Sequence, residues 1–281
     1  MSKQVKTILC PVDFTPCSEN ALRYALCLAD VYKAEIHLLH VLIPATEAVL
    51  EVPGSMPIVN RKLEDDTKEA LTQMVDRVLA QVGEQLKNVP ILNSHVEVGT
   101  PGFLINDAAI DYDADLIVMG TKREEDRPWY MGSVARDTLH QPSKPLLIVP
   151  QDASYTKIER VAFATDLRRA DIAHLLEIDR LLRPFRPEIR CVHVDTGHAS
   201  ELPFDELASL CEEQLPGLNI TFHELVEDDT TEALEAFNLV YHVDLQVMTR
   251  PHRGFFRELF HRSQVKKTVR YTHVPLLVLG E

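Results

Sequence analysis

The run YDADLIVMG at residues 112–120 returns as YHVDLQVMT at 241–249, and KPLLIVP at 144–150 returns as VPLLVLG at 274–280. The matches continue upstream in the same order: TILCPVD (7–13) has its counterpart in RVAFATD (160–166), and IHLLHVL (36–42) in IRCVHVD (189–195). A chain that writes one succession of segments twice is built from two copies of one folding unit. The offset shrinks along the chain from about 153 to about 130 residues because the second copy lacks the excursion at 43–61, which carries Pro44, Pro53, Gly54 and Pro57.

The repeated runs, with HVEVG (95–99), DLIVMG (115–120) and PLLIVP (145–150), are continuous or nearly continuous apolar stretches. That is the pattern of strands buried on both faces of a parallel sheet. Helical spacing lies between them: Leu22, Ala25, Leu26 and Ala29 within 18–32, with Ser18 as the expected cap, and further helices over 63–86 and 101–110. The alternation predicts an α/β fold, two tandem open, doubly wound domains at 1–150 and 158–281 joined by the short polar linker PQDASYTKIE.

Composition narrows the function. No window approaches the roughly 20 consecutive apolar residues of a membrane span, and the N-terminus has no apolar core of a secretory leader. The five cysteines, Cys10, Cys17, Cys27, Cys191 and Cys211, are an odd count without paired spacing, which fits a reducing cytoplasm. A net charge of -14 disfavours nucleic acid and anionic lipid as partners. The histidines gathered in the second half have no ligand spacing, so no metal site is expected, and no nucleophile–base arrangement stands out.

An aspartate after the first strand (Asp13), a His-Val end to the second, Met119-Gly120 ending the fourth, then a loop closing on Gly132-Ser133 at a helix start: this layout resembles the universal stress protein family. The family's phosphate motif runs Gly, two residues, Gly, nine residues, Gly, then Ser or Thr. The resemblance implies two five-stranded parallel sheets with helices on both faces, related by a pseudo-twofold. The final strands would pair antiparallel, giving a monomer that is a pseudo-dimer, or a homodimer. It also implies a stress-response role, and weak binding of ATP or another adenine nucleotide, with Mg, in the first domain. Pro11, Val12, Asp13 and Val41 would clamp the adenosine. Met119, Gly120, Gly132, Ser133 and Val134 would receive the phosphates, with Lys122 and Arg123 reaching them by side chain.

The departures are specific. Arg123 takes the place of the second glycine, only eight residues precede Gly132, and Glu124, Glu125 and Asp126 bring acids toward a phosphate. In the second domain Asp166, Val194 and Ser263 persist, but Thr249, His252 and Arg262 replace all three glycines. The loop there, RPHRGFFRELFHRSQVKK (250–267), is basic and carries Phe255, Phe256 and Phe260. Arg250, Arg253, Arg257 and Arg262 suit an anionic ligand or a protein partner, so a scaffold without nucleotide is the competing function. A slow ATPase is the most that catalysis would amount to. Other readings stand beside these: Asp13 and Asp166 as turn caps, Ser133 and Ser263 as helix caps, Cys10 as a buried thiol, the basic loop as a solvated face, and the excursion at 43–61 as a lid or an arm.

Overall fold

β1 (Thr7–Pro11) is buried at every residue because it has a strand on each side and helices over its faces. The computed structural model describes residues 4–43, 56–121, 133–140, 142–197, 199–249 and 274–280. They fall into two compact units, divided after Gln151.

In the first unit β1 pairs in parallel with β2 (Glu35–Leu42), in a register running from Thr7↔Glu35 to Pro11↔Leu39. β2 pairs with β3 (Leu92–Val98), and β4 (Leu116–Thr121) lies between β1 and β5 (Leu146–Pro150), giving the order β3-β2-β1-β4-β5. Parallel neighbours need long crossovers, and helices supply them: α1 (Pro16–Tyr32), α2 (Met56–Val82), α3 (Pro101–Asp111) and α4 (Ser133–His140). Ala21, Ala25 and Ala29 make a fully buried small-residue stripe that lets α1 lie close against β4 and β5.

The second unit repeats the plan. β6 (Arg160–Ala164), β7 (Glu188–Asp195), β8 (Ile220–Val226), β9 (Leu245–Thr249) and β10 (Leu276–Leu279) are parallel in the order β10-β9-β6-β7-β8. They alternate with α5 (Asp171–Leu182), α6 (Phe204–Gln214) and α7 (Thr230–Val240).

The repeat reaches individual backbone angles. Among the described residues, the non-glycine positions with positive φ fall into three equivalent pairs: Phe14 (62°) with Leu167 (55°), Lys33 (58°) with Arg186 (49°), and Asp113 (47°) with His242 (50°). Asp115 Oδ2 accepts from the backbone N–H of Lys6 (2.8 Å) and Thr7 (3.3 Å); Asp244 Oδ2 accepts from Glu159 (3.1 Å) and Arg160 (2.8 Å). In both units an aspartate just before the fourth strand fastens the start of the first.

Three sequence expectations are corrected. α1 begins at Pro16 and its cap is Thr15, whose side chain accepts from Ser18 N–H; Ser18 is the third helical residue, and proline at the first position needs no donor. α2 begins at Met56, so the end of the excursion at 43–61 is helical, and residues 44–55 lie outside the described set. The helix expected over 63–86 ends at Val82, followed by a single 3-10 turn, Gly83–Gln85.

Candidate functional site

The strand ends meet at one rim of the first unit. Pro11 closes β1, and Val12 N–H continues the ladder by donating to Leu39 O (2.9 Å), which sets Val41 of β2 beside the turn that follows. On the other side, Leu9 pairs with Ile117, so Met119 and Gly120, just before the last residue of β4, lie at the same level. Pro11, Val12 and Met119 are buried, Val41 and Gly120 half-buried, and Asp13 exposed.

The turn after β1 is held by its own side chains. Thr15 donates to Asp13 Oδ1 from both its N–H (3.1 Å) and its hydroxyl (2.6 Å). Asp13 N–H donates to Ser18 Oγ (3.3 Å), and Ser18 Oγ–H donates to Thr15 O (3.0 Å). Both Thr15 bonds fall on Oδ1, fixing how the carboxylate faces the rim. Phe14 sits at φ 62°, unusual for a bulky side chain, and its ring lies 4.6 Å from that of His40, whose Nδ1 is 2.8 Å from Val12 O. Sequence reasoning missed Thr15, Phe14 and His40. The signal for the first was present, since a threonine before proline at a helix start is a capping signature.

Gly120 answers to packing as well as to any ligand. A Cβ there would lie 2.3 Å from the carbonyl oxygen and 2.5 Å from the carbonyl carbon of Cys17, so only glycine lets α1 approach this closely. Cys10, at the base of the rim, is fully buried, and burial pushes its thiol up to about 12, which keeps it protonated.

Ser133 is the first residue of α4, with its side chain outside the described set; Val134 follows half-buried. α4 packs on β4 and α3. Lys122, Arg123, Gly132, Arg253, Arg262, Ser263 and the rest of the basic segment lie outside the described residues.

The corresponding rim of the second unit is wired differently. Thr165 and the buried Asp171 close its turn: Asp171 Oδ2 accepts from the Thr165 hydroxyl and from Arg168 N–H (3.0 Å), and Leu167 N–H donates to Thr165 Oγ1 (2.9 Å). Asp166 is exposed and faces Arg168 Nη2 at 3.5 Å. α5 starts at Asp171, the counterpart of Ser18, and Thr249, which ends β9 half-buried, stands where the first unit has Gly120. Val194 is half-buried in β7.

Among the described residues no three His, Cys, Asp or Glu side chains are grouped to hold a metal ion, and no helix is long and apolar enough to cross a membrane.

The model of the universal stress protein family matches residues 4–150, more than half of the 281. Universal stress protein MJ0577 of Methanocaldococcus jannaschii is 27% identical over 163 residues, 55% of this chain and 100% of that protein. Universal stress protein G of Salmonella typhimurium is 29% identical over 150 residues, 51% of this chain and 98% of its own. The crystal structure of a universal stress protein from Archaeoglobus fulgidus matches over 99% of both chains with a TM-score of 0.72 at 19% identity, so the likeness of fold extends through both units. Relatives that each match about half the chain, and a structure that matches all of it, agree with a tandem arrangement and support a role in the stress response: the chain belongs to the universal stress protein family.

Proposed function

We propose that the first unit is a regulatory module that binds an adenine nucleotide weakly, in the cytoplasm, and that the second unit does not share this site. The observation that carries the reading is the Asp13–Thr15 clasp at a rim bounded by Val41 and Gly120. Ligands of open α/β sheets sit beyond the carboxyl ends of the strands. With Oδ1 engaged by Thr15, Asp13 Oδ2 is the oxygen a ribose hydroxyl would meet. The amides at the start of α4, around Ser133 and Val134, together with Gly132, Lys122 and Arg123, would receive the phosphates. Mg would offset the acids at Glu124, Glu125 and Asp126, and those acids keep the affinity modest. Calorimetric titration with ATP, ADP and AMP tests the reading: heat at sub-millimolar to millimolar ligand that disappears in Asp13→Ala supports it, and a flat titration removes it.

The pairing of Asp166 with Arg168 favours a second role for the other unit. There the aspartate already has a cation, glycine has given way to Thr249, and the segment 250–267 supplies Arg253, Arg262 and Ser263 beside Phe255, Phe256 and Phe260. Recruitment of a protein or an anionic ligand suits that chemistry. Charge reversal of Arg253 and Arg257 to Glu should then abolish a partner signal that Asp13→Ala leaves intact. The pseudo-twofold arrangement of the units, as a monomer or a homodimer, belongs to the same proposal and is read by native mass spectrometry.

A further inference from the structure

On the face of β2 that also carries Val41, Glu35 and His37 alternate toward the strand start, and β3 sets Asn93, His95 and Glu97 beside them in register. His37 Nδ1 lies 3.0 Å from His95 Nε2, and His37 Nε2 lies 3.3 Å from Glu35 Oε1 and 3.5 Å from Asn93 Nδ2. The two imidazole planes are within 4° of parallel. Tyr112, just past α3, lies against both rings, with centroids 4.8 Å from His37 and 4.4 Å from His95. Its hydroxyl donates to Glu97 Oε1 (3.1 Å). Among the described residues, the charged and titratable groups against the pair are therefore Glu35 from β2, Glu97 from β3 and Tyr112 just past α3, with Asp111 acting in turn on Tyr112.

The second unit repeats the frame of this cluster with three exchanges: Thr221, whose Oγ1 lies 3.2 Å from His223 Nε2, stands for Asn93, Leu225 stands for Glu97, and the third is at His37. Glu188, His223 and Tyr241 stand where the first unit has Glu35, His95 and Tyr112, but His37 is replaced by Arg190. Arg190 forms a two-point pair with Glu188, Nε to Oε1 at 3.0 Å and Nη2 to Oε2 at 2.9 Å. Its guanidinium carbon sits 4.8 Å from the centre of the Tyr241 ring, and the His223 ring is 5.3 Å from that of Tyr241. A fixed cation fits against the carboxylate and the phenol at this place in the fold.

We infer that His37 and His95 form a one-proton site, which pH switches between uncharged and charged states, and that Arg190 builds the charged state permanently into the second unit. In the uncharged state His37 donates its Nε2 proton to Glu35, and His37 Nδ1 accepts the Nε2 proton of His95, so every ring nitrogen in the chain of bonds has a partner. One proton entering from water at His95 Nδ1 is balanced by transfer of the His95 Nε2 proton to His37 Nδ1. The bond between the rings then reverses its direction. The pair gains one positive charge beside Glu35, and His95 changes tautomer while remaining neutral. A second proton would set two imidazolium ions 3.0 Å apart and is opposed by their repulsion. Burial and the neighbouring His37 hold the His95 ring below the ordinary histidine range, as burial and Arg190 do for His223.

The site is independent of nucleotide binding, and imidazole-detected NMR of the full chain across pH 4 to 8 tests it. His95 should exchange its Nε2–H form for its Nδ1–H form in step with uptake of the first proton by the pair. His37→Arg should hold His95 in the Nδ1–H form over the whole range. Arg190→His should create a proton-linked tautomer change at His223. Glu35→Gln, which leaves both rings in place, should lower the pH of the first uptake, because the carboxylate that favours the charged state is gone. The one-proton site is ruled out if His95 keeps one tautomer through that uptake, if both rings become charged together, or if Glu35→Gln leaves the uptake where it was.

Discussion

Gly120 at the end of β4 and Cys17 in the first turn of α1 touch backbone to backbone, leaving 2.3 Å between the Cys17 carbonyl oxygen and the place a Cβ would take. The contact fixes one side of the candidate site, because α1 starts at the turn that carries Asp13 and β4 ends beside it. Gly120→Ala should therefore cost about 3 kcal/mol, the upper end for inserting one methyl into a packed region whose neighbour is backbone. Urea denaturation measures it. Thr249→Ala, at the equivalent position where a side chain already fits, should change stability by less than about 1 kcal/mol.

Thr15 works twice, capping α1 through its oxygen and holding Asp13 through its hydroxyl and amide protons. Thr15→Ala should lower stability by about 1 kcal/mol, the usual worth of a cap. It should also weaken any nucleotide bound at Asp13, since the carboxylate loses the hydroxyl that orients it. Thr15→Ser keeps both functions and should restore stability and binding together. Parallel unfolding and titration of the two variants separate this from a purely structural cap, for which Thr15→Ala would leave affinity unchanged.

The strands buried on both faces were plain in the sequence. β1, β4 and β9 have a strand on each side, so they write continuous or nearly continuous apolar runs, broken in β9 only by the buried Gln246, that mark the repeat and the strand ends beside which Asp13 and Gly120 lie. β8 is an edge strand of half-buried, mixed residues, ITFHELV, and no run announces it. β3 shows only its last residues for the same reason. At the site, positions were legible and causes were not. Gly120 reads as a phosphate-loop glycine until the approach of α1 supplies a second reason, a tertiary contact that no local pattern encodes. His37 and Arg190 are one position in two states, hidden because the repeat changes residue type there.

His95 and His223 give the stability of each unit a pH dependence of known sign. Both are held below the ordinary histidine value of about 6.5 in the folded chain. Below that value the unfolded chain binds more protons than the folded one, so stability is full above about pH 6.5 and falls with pH until the depressed folded values are passed. Urea midpoints should be lower at pH 5.5 than at pH 8. His95→Gln and His223→Gln should each flatten the slope.

Cys10, Cys191 and Cys211 should resist alkylation in the folded protein. Each is buried, and burial raises each thiol: Cys10 to about 12, Cys211 to about 11, and Cys191 well above its ordinary value. Only the thiolate attacks, so at pH 8 these sulfurs are both inaccessible and protonated. Iodoacetamide followed by peptide mass spectrometry should find them unmodified until denaturant is added, and the labelling rate should follow opening of the fold rather than pH. Were Cys10 labelled rapidly in the native chain with a rate that rises through neutral pH, it would be a reactive thiol at the base of the site, and a chemical role for the first unit would replace the binding role drawn from Asp13.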